Sequence, residues 1–362
     1  MSEMESGLYA INVDNMVEML SKAYISLINT RTPFKQFPSV MLWGPPGVGK
    51  SQGVREIASV IENQTDKKVV ITDVRLLLFN PVDLRGIPTA NEDKTLAVWL
   101  KPKIFQMDDC KDVVNILFLD EISAAPPSVQ SAAYQITLDR MVGEHKLPDN
   151  CIVIAAGNRV TDKSVAYNMP KALANRLCHF EIKGDSKSWH DWALRSGVHK
   201  YVVSYLEYNS GALMRFDSSG TGLAFATPRS WEMVSNILNT VSDNIEEVYP
   251  MIIGCVGHNT ASNFRTWAEL FDMMPDVEDI FTGDAIEVPK APELQVVLRA
   301  EMVDYARKHP EKILIDTSID FACRLPWAFR GKLMHDYGCI SELEPLVREN
   351  EVYKTAMRNA KK

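Results

Sequence analysis

The sequence predicts a three-layer α/β domain on a parallel sheet, followed by an α-helical half. Three observations lead there. Apolar, strand-like runs alternate with stretches of helical spacing up to about residue 184. One of these runs leads directly into a glycine-rich loop and then a helix, over residues 39–51. From Asp185 onward the strand runs stop and only helical spacing remains.

In chain order, residues 12–30 read as an amphipathic helix with Met16, Met19, Leu20 and Ala23 on one face. Thr32-Pro33 and Phe37-Pro38 break the chain before a short strand at 40–43. Gly44-Pro45-Pro46-Gly47-Val48-Gly49-Lys50-Ser51 then matches G-x-x-x-x-G-K-[ST], the phosphate-binding loop. Val54, Ile57, Ala58 and Ile61 carry the helix that must follow. The glycines let successive backbone N–H groups approach phosphate oxygens, and the helix N-terminus adds its positive end. Residues 44 to 51, with Gln52, form the expected nucleotide-binding set. Lys50 is the point charge for the β- and γ-phosphates, and the Ser51 hydroxyl is a ligand for Mg²⁺.

Residues 69–77 read as a second buried strand, and 79–112 as an insertion. That insertion holds a small hairpin with Asn91-Glu92-Asp93 at its tip. Residues 113–120 are apolar throughout and end in Asp120-Glu121, as a central strand buried on both faces would. Four apolar residues followed by two acids form the second signature of nucleotide hydrolases. Asp120 is placed to hold Mg²⁺ through its water shell, and Glu121 to polarise the attacking water. Pro126-Pro127-Ser128 start a helix, and residues 140–150 read as a hairpin with Gly143-Glu144 near its tip. The strand at 151–158 delivers Asn158 at its carboxyl end, where ligand groups gather in an open parallel sheet. A short helix at 171–176 and a fifth strand at 177–182 complete the α/β part. Beyond it, the stretch from 276 to 292 reads as a polar linker, and residues 293–309, 321–338 and 343–359 as a helical tail.

Composition limits the function classes. With 46% hydrophobic and 24% charged residues, the 362-residue chain can bury ordinary cores, and its length predicts two or three domains. A net charge of −8 gives no global attraction for nucleic acid or an anionic membrane. No apolar run approaches the length of a bilayer span, and the acidic, polar opening residues do not resemble a secretory signal. The six cysteines form no C-x-x-C pair and read as buried, reduced thiols of a cytoplasmic protein. Cys178-His179 has no second ligand pair and is not read as a metal site.

These residues resemble AAA+ ATPases, and within them the MoxR group. The stretch at 116–150, with its acidic strand end, proline-started helix and hairpin, is similar to that group's, and 82–88 resembles the opening of its helix-2 insertion. The resemblance covers roughly residues 12–245. It implies that Asn158 is the first sensor and that Arg176, in a stretch resembling Leu-Pro-x-Ala-x-x-Asp-Arg-Phe, is an arginine finger for the neighbouring subunit. The second sensor would be Arg229, at the start of the lid helix. The family's Asp and Phe around the finger are Asn175 and Leu177 here, and Arg159 is a competing interface arginine. The organisation implied is an ATPase core at 1–184, a helical lid at 185–280 and a helical extension at 281–362. The partners implied are further copies of the chain in a ring, most simply a hexamer, and a protein client such as a von Willebrand factor A domain. A nucleic-acid-directed motor or nuclease-coupled NTPase is the rival reading. It predicts salt-sensitive nucleic-acid binding, and no clustered basic stripe supports it. A guanine-reading N-K-x-D motif is absent, which counts against a GTPase.

Overall fold

The computed structural model describes residues 8–159, 167, 169–215, 223–274, 276–284 and 289–359. The chain divides into two units, Met1–Gly184 and Asp185–Lys362. The first runs β1 (Ala10–Ile11), α1 (Val13–Asn29), β2 (Ser39–Trp43), α2 (Lys50–Gln64), β3 (Lys68–Arg75), α3 (Pro81–Arg85), β4 (Ile87–Ala90) and β5 (Ala97–Leu100). It continues with β6 (Val113–Asp120), α4 (Pro127–Tyr134), β7 (Met141–Val142), β8 (His145–Lys146), β9 (Cys151–Gly157), α5 (Lys171–Ala174) and β10 (Leu177–Ile182).

Six of these strands form one parallel sheet in the order β1-β10-β2-β9-β6-β3. Side chains alternate across it, so each central strand feeds two cores. Met41, Leu117, Leu119, Val153 and Ala155 pack with Val129, Ala133 and Ile136 and with Leu84 and Phe105 of the insertion. Val40, Leu42, Ile116, Phe118, Ile152 and Ile154 fall on the other face by the same alternation, and α2 packs across β3, β6 and β9. The result is a three-layer α/β core.

The structure departs from these expectations at several points. β3 is an edge strand rather than a buried one, and Val74 is its one buried residue because no strand covers its outer side. A sixth strand, β1, pairs with β10 through Ala10 and Ile11, too short a run to show a period. Of the cysteines, Cys151 is buried, whereas Cys110 and Cys323 are exposed.

The second unit is helical: α6 (Ser186–Arg195), α7 (Lys200–Tyr208), α8 (Pro228–Thr240), α9 (Ile245–Val256), α10 (His258–Ala268) and α11 (Glu278–Thr282). There follow α12 (Pro292–Lys308), α13 (Lys312–Ala322), α14 (Trp327–Cys339), α15 (Glu344–Arg348) and α16 (Glu351–Asn359). α11 lies inside the stretch expected to be a linker. One hydrophobic core runs from Trp189 through Trp231, Leu298 and Met334 to Tyr353, so helices on both sides of residue 280 share it. Arg299 is 3% exposed and is neutralised there by Asp336 and Glu207. Among the described residues, no helix is long and apolar enough to cross a membrane.

Candidate nucleotide-binding site

The site grows out of the register of three neighbouring strands. Trp43 of β2 lies opposite Gly157 of β9, and Leu119 of β6 lies opposite Ala155. The next residues out, Gly44, Asn158 and Asp120, therefore meet at the carboxyl edge of the sheet. Gly44 N–H donates to Gly157 O at 3.3 Å. A Cβ on Gly44 would stand 2.6 Å from Ile182 O, so only glycine allows the loop to pass this close to β10. Gly49 has φ 102° and caps α2, whose first residue is Lys50. The positive end of the helix dipole, with Ser51 and Gln52 in the first turn, therefore opens onto the loop.

Lys50 is 8% exposed. Its ammonium donates to Gly44 O at 2.6 Å, Pro45 O at 3.0 Å and Asn158 Oδ1 at 3.0 Å. A buried ammonium needs such acceptors, and here they are neutral, so an anion can displace them without breaking an ion pair at these contacts. Ser51 Oγ donates to Asp120 Oδ2 at 3.1 Å. Neighbouring ligands of an Mg²⁺ octahedron, with bonds of 2.0–2.1 Å, lie about 3 Å apart, so this oxygen pair has the spacing and hardness that Mg²⁺ takes. Glu121 follows in a left-handed conformation, φ 57°, with its N–H donating to Asp120 Oδ1 at 2.8 Å. A glutamate held this way costs about 1–3 kcal/mol, which the surrounding structure must offset.

Other expected residues lie elsewhere. Arg176 directly precedes β10, whose Leu177 pairs with Ser39 at the start of β2. It therefore stands at the amino edge of the sheet, five residues or about 17 Å below Trp43. There it lines an open hollow of about 410 Å³ with Arg85, Trp99, Gln135, Asp139 and Glu144. Arg159 is bonded within its own chain, to Glu181 Oε1 at 2.5 Å. Arg229 is exposed in the first turn of α8, behind the Thr227–Ser230 capping box of the second unit. The insertion and the 140–150 hairpin touch each other: His145 Nε2 is 2.8 Å from Trp99 O, and a Cβ on Gly143 would lie 2.6 Å from Arg85 O.

Residues 39–179, which hold this geometry apart from Glu181, Ile182 and Arg229, match the family model described as ATPase family associated with various cellular activities (AAA). This stretch carries an AAA-type ATPase domain. No curated protein matches the chain in sequence. A structure of a candidate ATPase from Cytophaga hutchinsonii is similar at 19% identity and TM-score 0.34, covering 67% of this chain; the match spans 66% of that chain's length. A point mutant of RuvB from Thermotoga maritima is similar at 15% identity and TM-score 0.34, covering 97% of this chain and 89% of that one.

Sequence reasoning passed over two residues beside the candidate site. Ser123 is 1% exposed, and its Oγ accepts the Asn158 N–H at 2.9 Å, which fixes the backbone that carries the Asn158 amide. No motif marks a serine three residues past the acidic strand end. Asp73 of β3 is the other. Partial burial and then the nearby Asp120 charge hold its carboxyl above the usual range, against Arg75 and Arg55. The signal was present, since an acid near the carboxyl end of the next strand in a parallel sheet faces the same edge.

Proposed function

We propose that this chain is an Mg²⁺-dependent ATPase of the MoxR kind that assembles into a ring and remodels protein partners. The observation that carries the reading is the convergence of Lys50, Ser51, Asp120, Glu121 and Asn158 on one edge of the sheet. In this reading the loop from Gly44 to Ser51 wraps the phosphates. Lys50 leaves its carbonyl acceptors for the β- and γ-phosphate oxygens. Ser51 and Asp120 hold Mg²⁺, which when bound offsets phosphate charge. Glu121 takes a proton from water lined up on the γ-phosphorus, and Asn158 orients that water. Arg229 senses the nucleotide from the lid.

Arg176 stands at the far edge of the sheet, so in this reading it completes the site of the next subunit. A guanidinium stays charged and can fork onto phosphate oxygens as charge develops. A site shared between subunits makes a ring, most simply a hexamer, the active form. The protein-partner assignment is supported by the β4–β5 hairpin, which exposes Ile87, Leu96 and Leu100 beside the 140–150 hairpin. A von Willebrand factor A domain is the client class the MoxR reading favours, in the cytoplasm.

The experiment is Glu121→Gln. The variant is expected to bind ATP as the parent does, to turn over about 10²–10⁴-fold more slowly, and to retain partners in its ATP-bound state. Normal turnover by the variant would remove Glu121 as the base. Full turnover by a monomeric Arg176→Ala chain would remove the ring.

A further inference from the structure

We propose that Asp191, His335 and Cys339 form a three-ligand site for a zinc-type divalent cation within the helical unit, with a fourth position left for water. Two His-Asp doublets face each other across α6 and α14, and they pair crosswise. In the inner pair, His190 Nε2 lies 3.2 Å from Asp336 Oδ1, and Arg299 Nε closes it by donating to Asp336 Oδ2 at 2.8 Å. A guanidinium already occupies the cation position there. In the outer pair, His335 Nε2 lies 2.7 Å from Asp191 Oδ1, and Cys339 Sγ stands 3.7 Å from the same nitrogen. Among the described residues, no Lys or Arg forms an ion pair with Asp191.

The trio has the shape of a ligand set. His335 and Cys339 are four residues apart on one helix and so share a face. The three ligand atoms all lie within 4.8 Å of one another. With Zn–N and Zn–O near 2.1 Å and Zn–S near 2.3 Å, a tetrahedron needs N···S of about 3.6 Å and N···O of about 3.4 Å. The His335–Cys339 spacing is already there. The His335–Asp191 pair must open by about 0.7 Å, within a side-chain rotation. The Asp191 carboxylate, then Cys339, push His335 up to about 10, so a proton sits where the metal would. The side chains of Asp191 and His335 are 17% and 42% exposed, which leaves a path in and room for a water. Imidazole with thiolate and carboxylate suits zinc or cobalt; the thiolate disfavours Mg²⁺ and Ca²⁺. Binding expels the His335 proton and the thiol proton to solvent and ties α6 to α14 across 144 residues of sequence.

The test uses the full chain, stripped with chelator and then titrated with Co²⁺ or Zn²⁺ alone. We expect about one metal per chain, a near-ultraviolet thiolate-to-Co²⁺ band, and a rise of roughly 5–10 °C in the thermal midpoint of the helical unit with Zn²⁺ at about 100 times its dissociation constant. Cys339→Ser should abolish the band and His335→Gln should abolish stoichiometric zinc; in chelator Cys339→Ser should melt like the parent, whereas His335→Gln, which also loses the pair to Asp191, should melt lower. Cys110→Ser with Cys323→Ser, which removes the two exposed thiols, should keep the band. No thiolate band in the parent, or a band that survives Cys339→Ser, overturns the site. The readouts are independent of ATP turnover, so failure of either proposal leaves the other standing.

Discussion

Asn158→Asp is the sharpest probe of the nucleotide site, because it changes charge without changing shape. In the parent, Lys50 meets Asn158 Oδ1 at 3.0 Å while 8% exposed. Replacing the amide oxygen by a carboxylate oxygen creates an ion pair at that distance. With an effective dielectric near 20, Coulomb attraction there is about 5–6 kcal/mol. Desolvating the new carboxylate cancels roughly half, leaving about 2–3 kcal/mol that phosphate must overcome to recruit Lys50. The carboxylate also repels the γ-phosphate, so this is a lower bound. Affinity for Mg-ATP should fall by about 30- to 150-fold, since each 1.4 kcal/mol is tenfold. Asn158→Ala, which removes one neutral acceptor, should cost about 1 kcal/mol. The assay is an equilibrium titration with a fluorescent ATP analogue, with thermal melting as the control for folding. If Asn158→Asp binds within twofold of the parent and melts normally, Lys50 is not the group that recruits the phosphates.

Other outcomes follow from the same contacts. Gly44→Ala sets a Cβ 2.6 Å from Ile182 O and 3.3 Å from Val48 Cγ1, so backbone must move; calorimetry should show a loss of about 1–3 kcal/mol, with weakened ATP binding. Burial, then Lys200, lowers His199 to about 4, against Asp304 and Asp243; its Nδ1 also accepts the Tyr201 N–H at 3.3 Å as the cap of α7. Below pH 6.5 the unfolded chain takes up this proton while the folded chain refuses it, so stability falls between pH 6.5 and 4, by at most about 3 kcal/mol. His199→Asn keeps a capping side chain and removes the titration, so denaturant unfolding should show a flatter acid limb over that window. An unchanged limb would refute the assignment.

The first half of the chain was legible because its signals are local. The loop that ends β2 is fixed by glycines that no other residue replaces, and the run ending in Asp120 can only be a strand with two buried faces. Parallel registration then does the rest, since adjacent carboxyl ends must gather Lys50, Asp120 and Asn158. Edge position is not local. The apolar residues of β3 match those of a central strand, and only the absence of an outer neighbour exposes Val70. The helical half was legible as helices but not as a core, because α12 and α14 are barely one-sided in sequence and find partners on α7 and α6 through the buried Arg299 and the paired His-Asp doublets. Charged residues whose partners lie far along the chain look, in sequence, like solvated surface.

The same distinction separates the two arginines weighed for the trans-acting role. Arg159 sits one residue past Asn158, which is what made it a rival. Position along the chain is a poor guide, because the side chain is committed to Glu181, a carboxylate 6% exposed on β10. Releasing Arg159 to a neighbouring subunit would break a partly buried ion pair, a loss that the new contact would have to offset. Arg176 differs in place: at the amino edge of the sheet it is held about 17 Å from its own phosphate loop, beyond the reach of a side chain. An arginine that is too far to serve its own site yet lines an open hollow is suited to serve another copy's. On these grounds Arg176 is the arginine to remove when dependence on assembly is tested.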